Sequence, residues 1–323
     1  MKFASPLCLL ALHVALQLAA LPSASAVAST TSTPPVHVTE FSLPRAAGQP
    51  DMPVRIAAPE RGRRLPVIVF SHGAYSSKDD YAPILDDWAA HGYVVLAVTH
   101  RDSTRQGAVR GKSDPRFMSW RIEDMRLLID RLDTALAAVP GLRERADPRR
   151  LAITGHSFGG LIAQTIGGAT LRDPSSAQAV SHQHPAVRAV IIFSGAGPMA
   201  PVLQREDFAS LTLPTLVTVG TKDLDQAPGM TGYEWRRLPY DLIAPGNKYL
   251  LVLDGADHYL GGIVGRDDLP HSPDAPAYLE AFNSASKLFL DAWLKDDRRA
   301  HRRLRDWPST ATPYATKATL EQR

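Results

Sequence analysis

The stretch that decides the fold is LAITGHSFGG, residues 151–160. Its first four residues predict a buried strand, and the residues that follow it predict a helix. Between them lies the motif G-x-S-x-G, in the strand–turn–helix context that it requires. Gly155 and Gly159 lack a Cβ atom, so strand and helix can approach closely around the sharp turn. Ser157 is therefore predicted to project its hydroxyl into a cleft at the carboxyl edge of a sheet.

Strands and helices alternate outward from this turn. Continuous apolar runs rich in β-branched residues predict six buried strands, at residues 65–70, 93–98, 151–154, 187–193, 215–219 and 249–253. Apolar residues at helical spacing predict helices at residues 81–91, 122–140, 158–170 and 279–293. Residues 36–43 and 54–58 predict two opening antiparallel strands. This order predicts an α/β fold with a mostly parallel central sheet and helices on both faces.

A serine hydroxyl becomes a nucleophile when a base takes its proton and a carboxylate orients that base. The loop after the strand at residues 249–253 ends in Asp257-His258, at the sheet edge where catalytic groups collect. His258 is the predicted base, because this fold orders its triad serine, acid, histidine along the chain. His100, which also follows a buried strand, is the alternative base.

The acid is predicted in the loop that follows the strand at residues 215–219. Asp223 is the predicted residue, and Asp225 is the alternative. Asp257 is expected to hydrogen-bond its own loop instead. An acid in this position remains ionised, so that it fixes the tautomer of the base and stabilises its imidazolium.

Two backbone N–H groups are predicted to bind the oxyanion of a tetrahedral intermediate. One belongs to Phe158, immediately after the serine. The other belongs to Ala74, in the loop at residues 71–75, where a glycine lets the backbone turn toward the cleft. Tyr75 and Tyr259 adjoin these positions and are predicted to line the substrate cleft.

Four segments carry a resemblance to known proteins: FSHG (residues 70–73), AAHGYVVLAVTHRD (89–102), GHSFGG (155–160) and GADH (255–258). Together they resemble α/β-hydrolases of the platelet-activating-factor acetylhydrolase and dienelactone-hydrolase-like type, and more distantly cutinase-like polyester hydrolases. The resemblance covers residues 65–293. It implies the α/β-hydrolase fold and cleavage of carboxylic esters, including short-acyl or lipid esters, through an acyl-enzyme. Typical dienelactone hydrolases use a cysteine where this chain has a serine.

The resemblance also implies the roles of individual residues. It makes Ser157, Asp223 and His258 the triad, with the Phe158 and Ala74 amides as the oxyanion hole. An amidase, a thioesterase or a peptidase would need the same groups, and a non-catalytic binding protein could retain the same fold. The sequence holds no GxxxxGK[ST] phosphate loop and no HExxH, so neither a cofactor nor a metal is expected.

The chain begins with the features of a secretory signal peptide at residues 1–26. Lys2 provides a positive start, an apolar run follows, and Ala24-Ser25-Ala26 fits a cleavage site. The protein is therefore expected to be exported, periplasmic or secreted, without a stable membrane span after cleavage; an uncleaved anchor is the alternative. The single cysteine, Cys8, lies in this leader, so a mature chain has neither a disulfide nor a thiolate nucleophile.

The predicted domains are a flexible lead-in at residues 27–35, a catalytic domain at 36–297 and a basic tail at 298–323. Residues 226–247 separate two strands and are predicted to cover part of the site or to form a surface loop with a short helix. The formal net charge is +3, and arginines concentrate at residues 298–305. Such a run is typical of a solvated helix end. The expected partner is a small-molecule or lipid ester, not nucleic acid.

Overall fold

The computed structural model describes residue 1 and residues 35–173, 175–224, 232–266, 268–307 and 314–323. The predicted signal peptide after Met1 and the lead-in up to residue 34 lie outside these residues. So do Asp225, the alternative acid, and the first part of the segment at residues 226–247.

A mixed sheet of nine strands forms the centre of the described fold, in the order β1-β2-β4-β3-β5-β8-β9-β10-β11. Its six middle strands run parallel, as the apolar runs predict, and antiparallel strands lie at both edges. β6 and β7 form a separate antiparallel pair. The strands are β1 (Val36–Leu43), β2 (Met52–Pro59), β3 (Leu65–Ser71), β4 (Val94–Val98), β5 (Ala146–His156), β6 (Leu171–Arg172), β7 (Ala179–Val180), β8 (Val187–Phe193), β9 (Thr215–Gly220), β10 (Lys248–Leu253) and β11 (Ala318–Gln322).

Helices cover both faces of this sheet, so its strands are buried on both sides. The helices are α1 (Ala82–Ala90), α2 (Phe117–Asp130), α3 (Leu132–Ala137), α4 (Leu142–Arg145), α5 (Phe158–Gly167), α6 (Gly232–Leu242), α7 (Ala275–Leu294) and α8 (Arg298–Arg305). Val67 and Val69 of β3 pack in the core with α2 and α5, whereas Ile68 and Phe70 pack with α1 and α7. Among the described residues, no helix combines the length and apolar character that crossing a membrane needs.

One prediction about a helix needs correction. The helix predicted at residues 122–140 is interrupted at Arg131, whose φ of −108° and ψ of 22° separate α2 from α3. The segment at residues 226–247 contains a helix, α6, which occupies 11 of its described residues.

The predicted basic tail at residues 298–323 is also wrong where the structure describes it. On α8, Ala300 and Leu304 are buried against the core, while five arginines face outward. β11 then pairs antiparallel with β10, with Leu320 opposite Leu251. This added strand covers backbone groups that β10 would otherwise leave unpaired at the sheet edge. The folded domain therefore includes these C-terminal elements.

Candidate active site

The turn between β5 and α5 holds Ser157 in a strained conformation. Its φ is 55° and its ψ is −118°, a region that costs a non-glycine residue about 1–3 kcal/mol. Two backbone bonds hold it there: Ser157 N–H donates to the Phe193 carbonyl at 2.9 Å, and Leu161 N–H donates to the Ser157 carbonyl at 3.0 Å. One hydrogen bond to the sheet and one to helix α5 thus offset the cost of this strained backbone conformation.

The glycines of the motif are required by close packing, as predicted. A Cβ atom on Gly155 would lie 2.2 Å from the Gly159 carbonyl oxygen, and one on Gly159 would lie 1.9 Å from the Ser71 carbonyl oxygen. These distances are far inside van der Waals contact. The turn can therefore press against the end of β3 only with glycine at both positions.

The predicted base and acid are hydrogen-bonded to each other. His258 Nδ1 lies 2.9 Å from Asp223 Oδ1, and the side chains are 17% and 1% exposed. Burial opposes the charge on Asp223, but the nearby His258 and Arg236 outweigh it and hold the pKa of this carboxyl below its ordinary value. An ionised Asp223 accepts a hydrogen bond from His258 Nδ1–H, and in that tautomer Nε2 is the acceptor.

Backbone bonds tie the acid loop to the base loop. Thr221 N–H donates to the Leu253 carbonyl at 3.0 Å, and Lys222 N–H donates to the Ala256 carbonyl at 2.9 Å.

In the base loop, Asp257 Oδ1 accepts hydrogen bonds from the N–H groups of Tyr259 and Gly261 at 2.9 and 2.7 Å, so Asp257 bonds its own loop as expected. The separation of acid and base is therefore set by the backbone of both loops.

A cation on α6 lies beside the acid and was not anticipated from the sequence. Arg236 Nε is 3.4 Å from Asp223 Oδ1, and its Nη1 donates to the carbonyls of Ser194 and Gly195 at 3.0 and 3.1 Å. The side chain is only 7% exposed. Arg236 thereby joins the acid to the loop after β8. Its signal in the sequence is weak, because the same segment contains a second arginine directly after it.

A chain of hydrogen bonds also connects the loop after β3 with the base. Gly73 N–H donates to the Tyr81 hydroxyl at 3.0 Å, the hydroxyl donates to His156 Nδ1 at 2.7 Å, and His156 Nε2–H donates to the His258 carbonyl at 2.8 Å. Burial, together with the proximity of His258, lowers the pKa of His156 well below its usual value, so the ring is neutral. His156 is the first variable residue of G-x-S-x-G, a position that the motif itself leaves open.

The two predicted oxyanion donors lie at the same edge of the sheet. Phe158 is the first residue of α5, where a helix leaves its N–H groups without an intrahelical partner. Ala74 lies in the loop directly after β3. Both residues are half-buried, as are Ser157 and His258, whereas the surrounding strand ends are fully buried. These groups therefore share access to solvent at one edge.

The residues predicted to line the cleft are in different settings. Tyr259 is half-buried, and its ring lies edge-on to that of His258 with centroids 5.0 Å apart. Tyr75 is also half-buried and has a φ of 64°; its carbonyl accepts from the N–H and the hydroxyl of Thr104, both at 3.1 Å. Tyr259 thus touches the predicted base, while the backbone of Tyr75 is held from the loop after β4.

His100, the alternative base, belongs to a different cluster. Its Nε2 lies 2.9 Å from Ser71 Oγ and its Nδ1 lies 2.9 Å from Asp124 Oδ2. The three residues are at most 1% exposed. Arg45 binds the same carboxylate through Nε at 2.6 Å. We call Ser71, His100 and Asp124 the buried triad; no carbonyl substrate can reach it without unfolding.

Within the described residues, no group of three or more His, Cys, Asp or Glu side chains is arranged to hold a metal ion. The arrangement at Ser157 can perform nucleophilic chemistry with its own groups: a strained hydroxyl, an imidazole oriented by a carboxylate, and amide donors at a helix start.

Comparisons with known proteins show similarity to several families of hydrolases. A family model described as chlorophyllase matches residues 28–174. The chain is similar to cutinase est2 of Thermobifida alba, with 25% identity over 208 residues, 64% of this chain and 57% of that protein. It is also similar to the platelet-activating factor acetylhydrolase of Cavia porcellus, with 26% identity over 160 residues, 37% of this chain and 36% of that protein. The chain thus spans little more than half of the first of these relatives.

A solved structure matches more of this chain than the two relatives do. The ferulic acid esterase from Streptomyces cinnamoneus superposes with a TM-score of 0.62 over 92% of this chain and 99% of that chain, at 18% sequence identity. At this identity the likeness concerns the fold alone. Together with the sheet order, it confirms the predicted α/β architecture.

Proposed function

We propose that this chain, which belongs to the α/β-hydrolase superfamily, is a serine hydrolase that cleaves carboxylic esters through an acyl-enzyme on Ser157. One observation carries the proposal. A serine held at a φ of 55° stands at the start of α5, at the sheet edge where a buried aspartate orients a partly exposed histidine. The match to cutinases and to an acetylhydrolase supports an ester as the substrate.

The proposed first step forms the acyl-enzyme. Ser157 Oγ attacks the ester carbonyl carbon while its proton passes to His258 Nε2. The carbonyl oxygen becomes an oxyanion, which the N–H groups of Phe158 and Ala74 bind. Asp223 holds the other ring nitrogen and stabilises the imidazolium. The intermediate then collapses, the C–O bond to the alcohol breaks, and His258 returns the proton to the leaving oxygen.

The second step releases the acid. A water molecule attacks the acyl carbon, His258 Nε2 takes one of its protons, and a second tetrahedral oxyanion forms in the same hole. Its collapse breaks the bond to Ser157 Oγ, which recovers the proton from His258. The step consumes one water and leaves the enzyme unchanged.

The proposal also covers the export of the protein and the class of ester that it cleaves. The leader at residues 1–26 supports export to the periplasm or the medium. Short-acyl or lipid esters are the proposed substrates, bound beside Tyr75 and Tyr259. A chain-length series of p-nitrophenyl esters, run beside a phospholipid and a polyester, measures the preference. A preference for long acyl chains would contradict the short-acyl proposal.

The decisive test of the reaction is made at the serine. Wild-type protein should hydrolyse p-nitrophenyl acetate, and Ser157→Ala should abolish turnover with an unchanged circular dichroism spectrum. A fluorophosphonate probe should label the wild type on the peptide that contains Ser157. An inactive wild type, an active Ser157→Ala protein, or labelling of another serine would each refute the proposal.

A further inference from the structure

A buried ion pair lies behind the loop at residues 71–75. Arg121 on α2 binds both oxygens of Asp102 at 2.9 and 2.7 Å, and the side chains are 1% and 2% exposed. A guanidinium has five N–H donors, more than one carboxylate uses. Arg121 directs further donors at the loop, to the His72 carbonyl and, at 3.0 Å, to the Gly73 carbonyl. The pair is therefore attached to the backbone that carries Ala74.

This attachment sets the direction of the Ala74 amide. In a trans peptide the C=O and N–H bonds point in opposite directions. The Gly73 carbonyl faces Arg121, so the Ala74 N–H faces away from it. The preceding peptide has the same arrangement, because the His72 carbonyl binds Arg121 while the Gly73 N–H donates to the Tyr81 hydroxyl.

The Gly73 carbonyl accepts three donors in all. They are Arg121 Nη2 at 3.0 Å, His72 Nδ1 at 2.6 Å and the Ser76 N–H at 3.2 Å. His72 Nε2 accepts the backbone N–H of His100 at 2.9 Å, so its proton is on Nδ1. Burial, and then the charge of Arg121, lower the pKa of His72 well below its usual value and keep it neutral. Hydrogen bonds to a carbonyl polarise its peptide group and strengthen the N–H on the other side.

The same guanidinium also contacts the second predicted donor residue. Arg121 Cζ lies 4.5 Å from the centroid of the Phe158 ring, in a cation–π arrangement. The Ala74 peptide and the Phe158 side chain are thus both held by one buried group, which is itself fixed by Asp102.

We propose that Arg121 is the positioning residue of the oxyanion hole, which it holds from behind by binding the loop before Ala74 and the ring of Phe158. This inference rests on the proposed ester hydrolysis and adds to it a residue that does not touch the substrate. Because the oxyanion exists only in the tetrahedral states, misplaced donors lower kcat more than they change KM.

The test compares two arginines in almost the same environment. Arg45 also binds a buried aspartate through two atoms, to Asp124 at 2.6 and 2.9 Å, and donates to the Pro50 and Asp51 carbonyls. Its side chain is 2% exposed. Its carbonyl partners lie between β1 and β2, away from the loop that carries Ala74. Arg45→Lys therefore matches the charge and the carboxylate contact of Arg121→Lys, and it reaches the loop at residues 71–75 only through Asp124, His100 and Ser71.

For Arg121→Lys we expect kcat on p-nitrophenyl acetate to fall about 10- to 100-fold, with KM changed less than about threefold. A lysine keeps the charge but cannot hold the carboxylate and two carbonyls in one plane. For Arg45→Lys we expect a similar loss of thermal stability and a kcat within about twofold of wild type. Arg121→Met, measured in parallel, should lower kcat at least as far as Arg121→Lys.

Three results would overturn the inference. They are a folded Arg121→Lys protein with wild-type kcat, an equal fall of kcat in both lysine variants, or a loss confined to KM. If Arg121→Met does not fold, the comparison of Arg121→Lys with Arg45→Lys is sufficient to test the inference. An inactive wild type would refute the proposed function itself, whereas an active wild type with an unaffected Arg121→Lys refutes only the positioning role.

Discussion

The described residues contain two sets of serine, histidine and aspartate, and the two sets differ in their access to solvent. In each, a histidine Nδ1 lies 2.9 Å from an aspartate oxygen: His258 from Asp223, and His100 from Asp124. In the buried triad, Ser71 Oγ also lies 2.9 Å from His100 Nε2. By side-chain distances alone, the buried triad is the more complete of the two.

What separates the clusters is their surroundings. His258 is 17% exposed, and His100 is fully buried. Ser157 stands on a strained turn at the start of a helix, whereas Ser71 is the last residue of strand β3. The comparison teaches that a hydrogen-bonded triad is not by itself a catalytic site. A catalytic site also needs access for the substrate, a serine whose hydroxyl projects from a tight turn, and backbone N–H donors that are free to bind the oxyanion.

Exchanging the two histidines for glutamine should separate the clusters most strongly. His258→Gln removes the base, and we expect kcat/KM on p-nitrophenyl acetate to fall by about 10⁴-fold or more. His100→Gln should leave kcat within about threefold, but lower the free energy of unfolding by about 1–3 kcal/mol through lost buried hydrogen bonds. Steady-state kinetics and urea unfolding of both variants measure the contrast. A larger loss of activity in His100→Gln would make the buried triad the catalytic one.

Replacing Asp223 or Asp124 with asparagine tests the same comparison. Asp223→Asn should lower kcat by about 10³- to 10⁴-fold, because an amide no longer fixes the tautomer of His258. Asp124→Asn removes the negative partner of the buried Arg45 and should cost about 3–5 kcal/mol of stability instead. Kinetics at 25 °C with thermal unfolding distinguish the outcomes. If Asp223→Asn keeps wild-type kcat, the acid must be assigned to another residue.

The sequence predicts the residues of the proposed triad better than it predicts the residues that hold them in place. Ser157, Asp223 and His258 follow the ends of strands that long apolar runs define, and the ends of parallel strands meet at one edge. Arg121 and Arg236 lie on helices and Tyr81 lies directly before one, where no local sequence pattern assigns their partners. One signal was present: α2 has Arg121 and Asp124 on the same side as its buried Ile122 and Met125. Charges in an apolar stripe indicate buried ion pairs.

The C-terminal strand shows the same limit in the fold. β11 is a short, mostly polar segment, ATLEQ, without the apolar run that marks the six parallel strands. Its place comes from the unpaired edge of β10 and not from its own composition. The sequence of such an edge strand does not predict it, because its position follows from the unpaired edge of the neighbouring strand.

The smallest expected effect concerns the pH dependence of stability, to which His100 of the buried triad contributes. Burial lowers the pKa of His72, His100 and His156 below the ordinary value of 6.5. The unfolded chain then binds more protons than the native one as the pH falls below 6.5. Stability from these neutral rings is therefore complete above 6.5 and is lost as the pH falls toward their native pKa values.

The free energy of unfolding should consequently decrease between pH 7 and pH 5, by at most about 1.4 kcal/mol per pH unit for each histidine. Urea titrations at both pH values measure this slope. His100→Gln should reduce the decrease by removing one of these proton sites. Equal slopes in wild type and His100→Gln would mean that His100 binds as many protons in the native protein as in the unfolded chain, which would contradict a pKa lowered by burial.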